Sequence, residues 1–153
     1  MSFSHDGLRD NLTDLAAPPY FYENLKRELA ARERSGTPLF LIRFLLVNAE
    51  TELSIREEFK SDDAILNFAE HINASLRRED LCARLGIAEF IAIFKGEKVQ
   101  AIGLSERILH HWSYPQISAR YAILEVSKGE SALETLARLD VEELRRVTTQ
   151  ATA

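Results

Sequence analysis

Apolar residues recur along this chain in two rhythms, one of the helix and one of the strand. Phe21, Leu25 and Leu29 fall four apart after Pro18-Pro19, and Gly36 offers a stop, so a first helix is predicted between them. Pro38 then leads into Leu39-Phe40-Leu41-Ile42-Arg43-Phe44-Leu45-Leu46-Val47, a nearly continuous apolar run of the kind expected of a strand buried on both faces. A polar region follows, with a short helix expected near Glu52 to Lys60. Ser61 can cap the next helix, whose apolar face is Ile65, Phe68, Ala69, Ile72 and Leu76 and whose end is expected close to Arg77 or Arg78. Leu81 to Leu85 and Phe90 to Phe94 read as the two arms of a hairpin, with Gly86 easing the reversal and Lys95-Gly96 closing the second arm. Ala101, Leu104, Ile108 and Trp112 return to helical spacing. Ile117 to Val126 has strand composition, and Ser131 to Val147 is a Leu-rich helical stretch. The predicted order, α-β-α-α-β-β-α-β-α, is that of an α+β sandwich: a central, mainly antiparallel sheet flanked by helices.

Composition narrows the class. With 153 residues, 46% hydrophobic and 28% charged, the chain suits a single domain over residues 1–153. The longest apolar run is interrupted by Arg43 and is too short to cross a bilayer, and Met1 to Asp10 lacks the apolar core of a signal peptide. The lone Cys82 cannot form an internal disulfide, which fits a cytoplasmic setting. A net charge of −5 speaks against a binder of nucleic acid polymers, whereas a single phosphorylated ligand needs only a local basic site.

Three stretches carry a resemblance. Asp10-Asn11-Leu12-Thr13-Asp14-Leu15 looks like an Asp-x-Leu-Thr-Gly-Leu motif, Gly86-Ile87-Ala88-Glu89-Phe90 stands at the hairpin tip, and Leu104-Ser105-Glu106-Arg107-Ile108 is similar to an Ala-Glu-Arg-Ile/Leu segment. In this order and spacing they resemble the GGDEF family of bacterial diguanylate cyclases, built on a nucleotidyl-cyclase palm, whose tip reads Gly-Gly-(Asp/Glu)-Glu-Phe. In that family, acidic residues from the first strand and from the third tip position hold divalent metal against GTP. The matching positions here are about Leu45 or Leu46 and Ala88, none able to coordinate a hard cation, and Ile87 replaces the second glycine. Of the catalytic chemistry only Glu89, with Asp63, is retained. The resemblance therefore implies a degenerate domain without cyclase activity, metal or other cofactor.

A second family site fares differently. The resemblance implies that Arg77-Arg78-Glu79-Asp80 matches the inhibitory Arg-x-x-Asp motif that lies five residues before the tip and binds cyclic di-GMP, with Arg107 near the position of a helper arginine. The chemistry suits that ligand. A guanidinium can pair with guanine O6 and N7, a carboxylate accepts from guanine N1–H and N2–H, and a second arginine can take a phosphate or stack on a base. Arg77, Asp80 and Arg107 are thus the candidate ligand site of a cyclic di-GMP receptor, and a two-fold, base-stacked ligand could bridge a homodimer. The rival reading is a nucleotide-independent docking or dimerisation module with a protein partner. GTP binding without turnover ranks behind both. With the opening motif so near Met1, regulatory input is expected from the ligand, a separate protein or sequence after Ala153.

Several residues have ordinary readings. Arg77 and Arg78 are also what a helix C-terminus favours, with Asp80 as a simple ion-pair partner. Arg84 suits a structural salt bridge, Cys82 a small buried hydrophobe, and His71 a solvated helix position. His110 and His111, adjacent on a helix, face different ways, which argues against a shared metal. Glu130, Glu134, Glu142 and Glu143 with Arg138, Arg145 and Arg146 read as i,i+4 pairs on a solvated last helix.

Overall fold

The computed structural model describes residues 4–55 and 62–147. Among them eight elements follow in the order α1 (Pro18–Ser35), β1 (Leu39–Asn48), α2 (Asp62–Ser75), β2 (Leu81–Gly86), β3 (Glu89–Lys95), α3 (Lys98–His110), β4 (Ile117–Glu125) and α4 (Ala132–Asp140). The strands form one antiparallel sheet in the order β2-β3-β1-β4. The fold is therefore the α+β sandwich that the sequence pattern predicts.

Strand β1 explains its own composition. Phe40, Ile42, Phe44 and Leu46 alternate with Leu39, Leu41 and Val47, and all are buried, because helices cover both faces. On one face Ile65, Phe68, Ala69 and Ile72 of α2 and Ala101, Leu104 and Ile108 of α3 pack against Phe44, Phe90 and Tyr121. Phe68 is the hub of this layer, its ring centroid 5.9 Å from Phe44, 5.4 Å from Phe90 and 4.9 Å from Trp112. On the opposite face Phe21, Leu25 and Leu29 of α1, with Ala132 and Leu139 of α4, cover Leu39, Leu41, Ile91, Ile93 and Leu124. Helix α1 begins with its two prolines and ends at Gly36, where a left-handed backbone (φ 74°) lets the N–H bond to the Arg32 carbonyl.

The chain also closes its sheet edges. Ala16 N–H donates to the Cys82 carbonyl (3.2 Å) and Arg84 N–H to the Ala16 carbonyl (3.1 Å), so the N-terminal segment runs along β2. Beneath it Arg84, fully buried, donates to both oxygens of the buried Asp10 (3.1 and 3.2 Å) and, through Nε and Nη2, to the Ile87 carbonyl at the hairpin tip (3.1 and 2.7 Å). Asp10 in turn accepts from the Thr13 N–H and hydroxyl (2.8 and 2.7 Å). The structural salt bridge anticipated for Arg84 is this one.

Five expectations need correction. The helix expected near Glu52 to Lys60 is not helical over its described part: Asn48 N–H bonds to the Leu53 carbonyl and Ile55 N–H to the Leu46 carbonyl, so this stretch turns back along β1. The rest of it, and the Ser61 cap, lie outside the described residues. Helix α2 ends at Ser75, two residues short of Arg77, where its end is expected close to Arg77 or Arg78, for a reason given below. Trp112 lies beyond the end of α3, because its indole N–H donates to Asn67 Oδ1 (2.7 Å) while its ring packs on Phe68. The last helix stops at Asp140, and Tyr121 and Arg145 then exchange backbone hydrogen bonds (2.9 and 2.6 Å). An unpaired strand edge offers that segment more than another helical turn would. The expected i,i+4 pairs are replaced by Arg138 with Glu130 and by Arg146 with Glu52.

Removing one partner of a buried ion pair strands the other charge away from water. Asp10→Ala is expected to lower unfolding free energy by about 3–5 kcal/mol, measured by urea denaturation. The Arg138–Glu130 pair gives a pH signature. The hydrogen bond from Arg138, working against burial, holds the Glu130 carboxyl at about 2, below its ordinary 4.5. A depressed carboxylate stabilises the fold above its unfolded pKa and loses that contribution as pH falls through the folded one. The difference in melting temperature between the protein and its Arg138→Gln variant is therefore expected to be full at pH 6 and to shrink between pH 4.5 and 2.

Candidate functional site

The junction between α2 and β2 is shaped by Arg77 and Asp80. Asp80 Oδ2 accepts from the Arg77 backbone N–H (3.0 Å) and Asp80 N–H donates to the Arg77 carbonyl (3.0 Å), a local turn that competes with helix and ends α2. The side chains close the same loop. Arg77 donates through Nε to Asp80 Oδ2 (3.0 Å) and through Nη2 to Oδ1 (2.9 Å), a two-pronged pair, while Nη2 also reaches the Lys95 carbonyl (2.8 Å). Its guanidinium lies 4.4 Å from the centre of the Phe94 ring. The hydrogen bond to Asp80 raises the Arg77 pKa above that of an ordinary arginine, with burial opposing it. The Asp80 side chain is fully buried, whereas that of Arg77 stays 43% exposed.

Arg77, Asp80 and Arg107 line one cavity of about 290 Å³, together with Ser75, Phe94, Gln100, Gly103 and Leu104. Among the described residues Arg107 has no ion-pair partner, so this cavity holds one guanidinium that is neutralised and one that is not. Phe94, Gln100 and Gly103 were not singled out from the sequence. A signal was there for two of them: Gln100 and Gly103 precede Arg107 by seven and four residues, the spacing of one helix face. Gly103 is costly to α3, at about 1 kcal/mol relative to alanine for an interior glycine.

The hairpin tip is organised by contacts within the chain. Leu46 N–H donates to the carbonyl of the buried Ala88, Ile87 packs against the core, and Ile55 is buried in the same cluster. Leu45 stands in register between Glu89 of β3 and Arg120 of β4. Glu89 is taken by Arg43 (2.5 Å), and Arg120 and Arg146 both bind Glu52 (2.7 and 3.1 Å), whose pKa is lowered chiefly by the Arg120 hydrogen bond. Asp63 accepts from the Tyr114 hydroxyl, which raises the Tyr114 pKa. Glu89 and Asp63 thus both have partners inside the chain.

His71 differs from expectation: it is half-buried, and its Nε2 lies 2.8 Å from the Ile108 carbonyl, tying α2 to α3. Among the described residues no group of three or more His, Cys, Asp or Glu side chains is placed to hold a metal ion, and no helix is long and apolar enough to cross a membrane.

A four-stranded antiparallel sheet with this hairpin between two helices is a cyclase-like α+β fold. The family model described as diguanylate cyclase, GGDEF domain, matches residues 8–152, and the chain belongs to that family. Solved structures agree on the fold. The GGDEF domain of DgcB from Caulobacter crescentus in complex with c-di-GMP is 23% identical, with a TM-score of 0.75, 90% of this chain and 88% of that one being covered. The diguanylate cyclase SiaD in complex with its activator SiaC, from Pseudomonas aeruginosa, is also 23% identical, with a TM-score of 0.73 over 88% of this chain and 55% of that one. The FimX GGDEF domain from Pseudomonas aeruginosa is 17% identical, with a TM-score of 0.68 over 86% and 88%. No curated protein sequence matches the chain.

Cys82, beside Asp80, is buried on β2, and burial pushes its thiol up to about 12. Because the thiolate is the reactive form, iodoacetamide at pH 8 is expected to leave the folded protein unmodified and to alkylate Cys82 fully in urea, as read by intact mass.

Proposed function

We propose that this GGDEF domain is a cyclic di-GMP receptor that does not itself make the nucleotide, with Arg77, Asp80 and Arg107 as its ligand site. The observation that carries the reading is that these three side chains, 30 residues apart at the extremes, border one cavity. Arg77 and Asp80 carry the donor and acceptor types that match a guanine edge, with the Asp80 carboxylate held by Arg77, and Arg107 brings uncompensated positive charge for a phosphate. The DgcB domain, of the same fold, was solved with this nucleotide. Asp80 reaches guanine N1–H and N2–H only when Arg77 gives up part of its hold on the carboxylate, so binding reorganises this pair.

The absence of turnover rests on Leu45, Leu46 and Ala88. None offers an oxygen to a divalent cation from its side chain, and Glu89 is engaged by Arg43. Ligand exchange at the cavity then couples to the chain's contacts with a second copy or a protein partner, in the cytoplasm of a bacterium. The rival reading, a docking module without nucleotide, draws on the closure of Asp80 by Arg77 and on the SiaD–SiaC complex, in which a protein of this fold is held by its activator.

Calorimetric titration of cyclic di-GMP into the protein separates the two. Micromolar or tighter binding is expected, weakened at least tenfold in Arg77→Ala, Asp80→Ala and Arg107→Ala, with no cyclic di-GMP formed from GTP and magnesium. Arg107→Ala is the most telling variant, because it breaks no ion pair among the described residues. No heat and no thermal shift at high ligand excess leaves the docking module; turnover of GTP overturns the inactive reading.

A further inference from the structure

Gly103 has no explanation within the fold. Some glycines in this chain are dictated by their surroundings: a Cβ on Gly96 would lie 2.7 Å from Gln100 Oε1 and 3.0 Å from the Phe94 ring, and its φ is 150°. Gly103 is the opposite case. It sits inside α3 with ordinary helical φ, and a Cβ there would meet nothing within 4 Å. The helix would be steadier with almost any other residue at this position. What the missing side chain leaves is open space in the cavity that Arg77 and Arg107 border.

The shape of that space is informative. One wall is the Arg77 guanidinium lying on the Phe94 ring, and another is the exposed turn of α3 at Gly103. Gln100 and Arg107 lie on the same helix face, to either side of Gly103. Gln100 Oε1 is already used, accepting from the Glu97 N–H (3.0 Å) in the capping box of α3, which leaves its amide hydrogens as donors. A bare backbone turn with an amide on one side and a guanidinium on the other suits a flat, hydrogen-accepting ring, and the guanidinium opposite offers a planar surface for stacking.

We propose that Gly103 is the specificity-determining position of this site: its missing side chain keeps a slot open between α3 and the Arg77–Phe94 stack, and a purine ring of the ligand lies in it, with Gln100 as a donor to that ring. The inference rests on the reading of the cavity as a cyclic di-GMP site. It assigns the slot to the base, and so predicts that bulk at residue 103 acts on affinity while the fold gains.

The test is calorimetry with cyclic di-GMP on the protein, Gly103→Ala and Gly103→Leu, with melting temperatures measured alongside and Val99→Leu, at an exposed α3 position outside the cavity, as control. Gly103→Leu is expected to bind at least tenfold more weakly while melting at the same or a higher temperature, with Val99→Leu unchanged. A smaller loss, or a loss accompanied by a lower melting temperature, overturns the slot and leaves the receptor reading standing. If the unaltered protein shows no binding, both fall together.

Discussion

The ion pair between Arg84 and Asp10 holds together two parts of this domain that are distant in sequence, the N-terminal segment and the β2 hairpin with its tip. Burying two charges is tolerable only when geometry is good and the remaining donors find acceptors. Arg84 meets both conditions: it is paired with both oxygens of Asp10 and spends Nε and Nη2 on the Ile87 carbonyl. The same residue's backbone joins the N-terminal segment to the edge of β2. The turn at Thr13, the sealed edge and the hairpin tip are therefore one structural unit, with an arginine at its centre.

That arrangement explains how a GGDEF hairpin keeps its form while its tip reads Gly-Ile-Ala-Glu-Phe. The reversal is held from beneath by Arg84 and from the side by Leu46 N–H on the Ala88 carbonyl, so neither a metal nor a nucleotide is needed to shape it. Ala88 is buried there, and Ile87 packs against the core. Of the charges nearby, Arg43 pairs with Glu89, while Arg120 and Arg146 share the single carboxylate of Glu52.

The other end of the helices has a different electrostatic character. Arg77 is satisfied by Asp80, but Arg107 brings a charge to the same cavity without a partner among the described residues. A fold can host many functions, and here the domain's chemical asymmetry distinguishes its two ends. At the tip the arginines are each paired with a carboxylate of the chain, whereas Arg107 stands beside its cavity with no ion-pair partner among the described residues.

Much of this was legible in the sequence, and the failures have common causes. The paired prolines, Gly36, the continuous run from Leu39 to Val47 and the hairpin around Gly86 define elements because local sterics and burial on one or two faces leave their mark on residue order. The spacing of Arg77, Asp80 and the tip was equally readable. Trp112 and the stretch after Asp140 misled, since helical spacing says nothing of an Asn67 side chain on another helix or of a strand edge awaiting a partner. His71 was read as solvated because its acceptor, the Ile108 carbonyl, lies 37 residues away. Residue order alone thus determined most of the elements and the family, and it shows that Leu45, Leu46 and Ala88 carry no acidic side chain. Only the tertiary structure decided that Glu89 is claimed by Arg43, and that Gly103 and Arg107 of α3 border the same cavity as Arg77 and Asp80, because each depends on distances between segments that the local pattern does not encode.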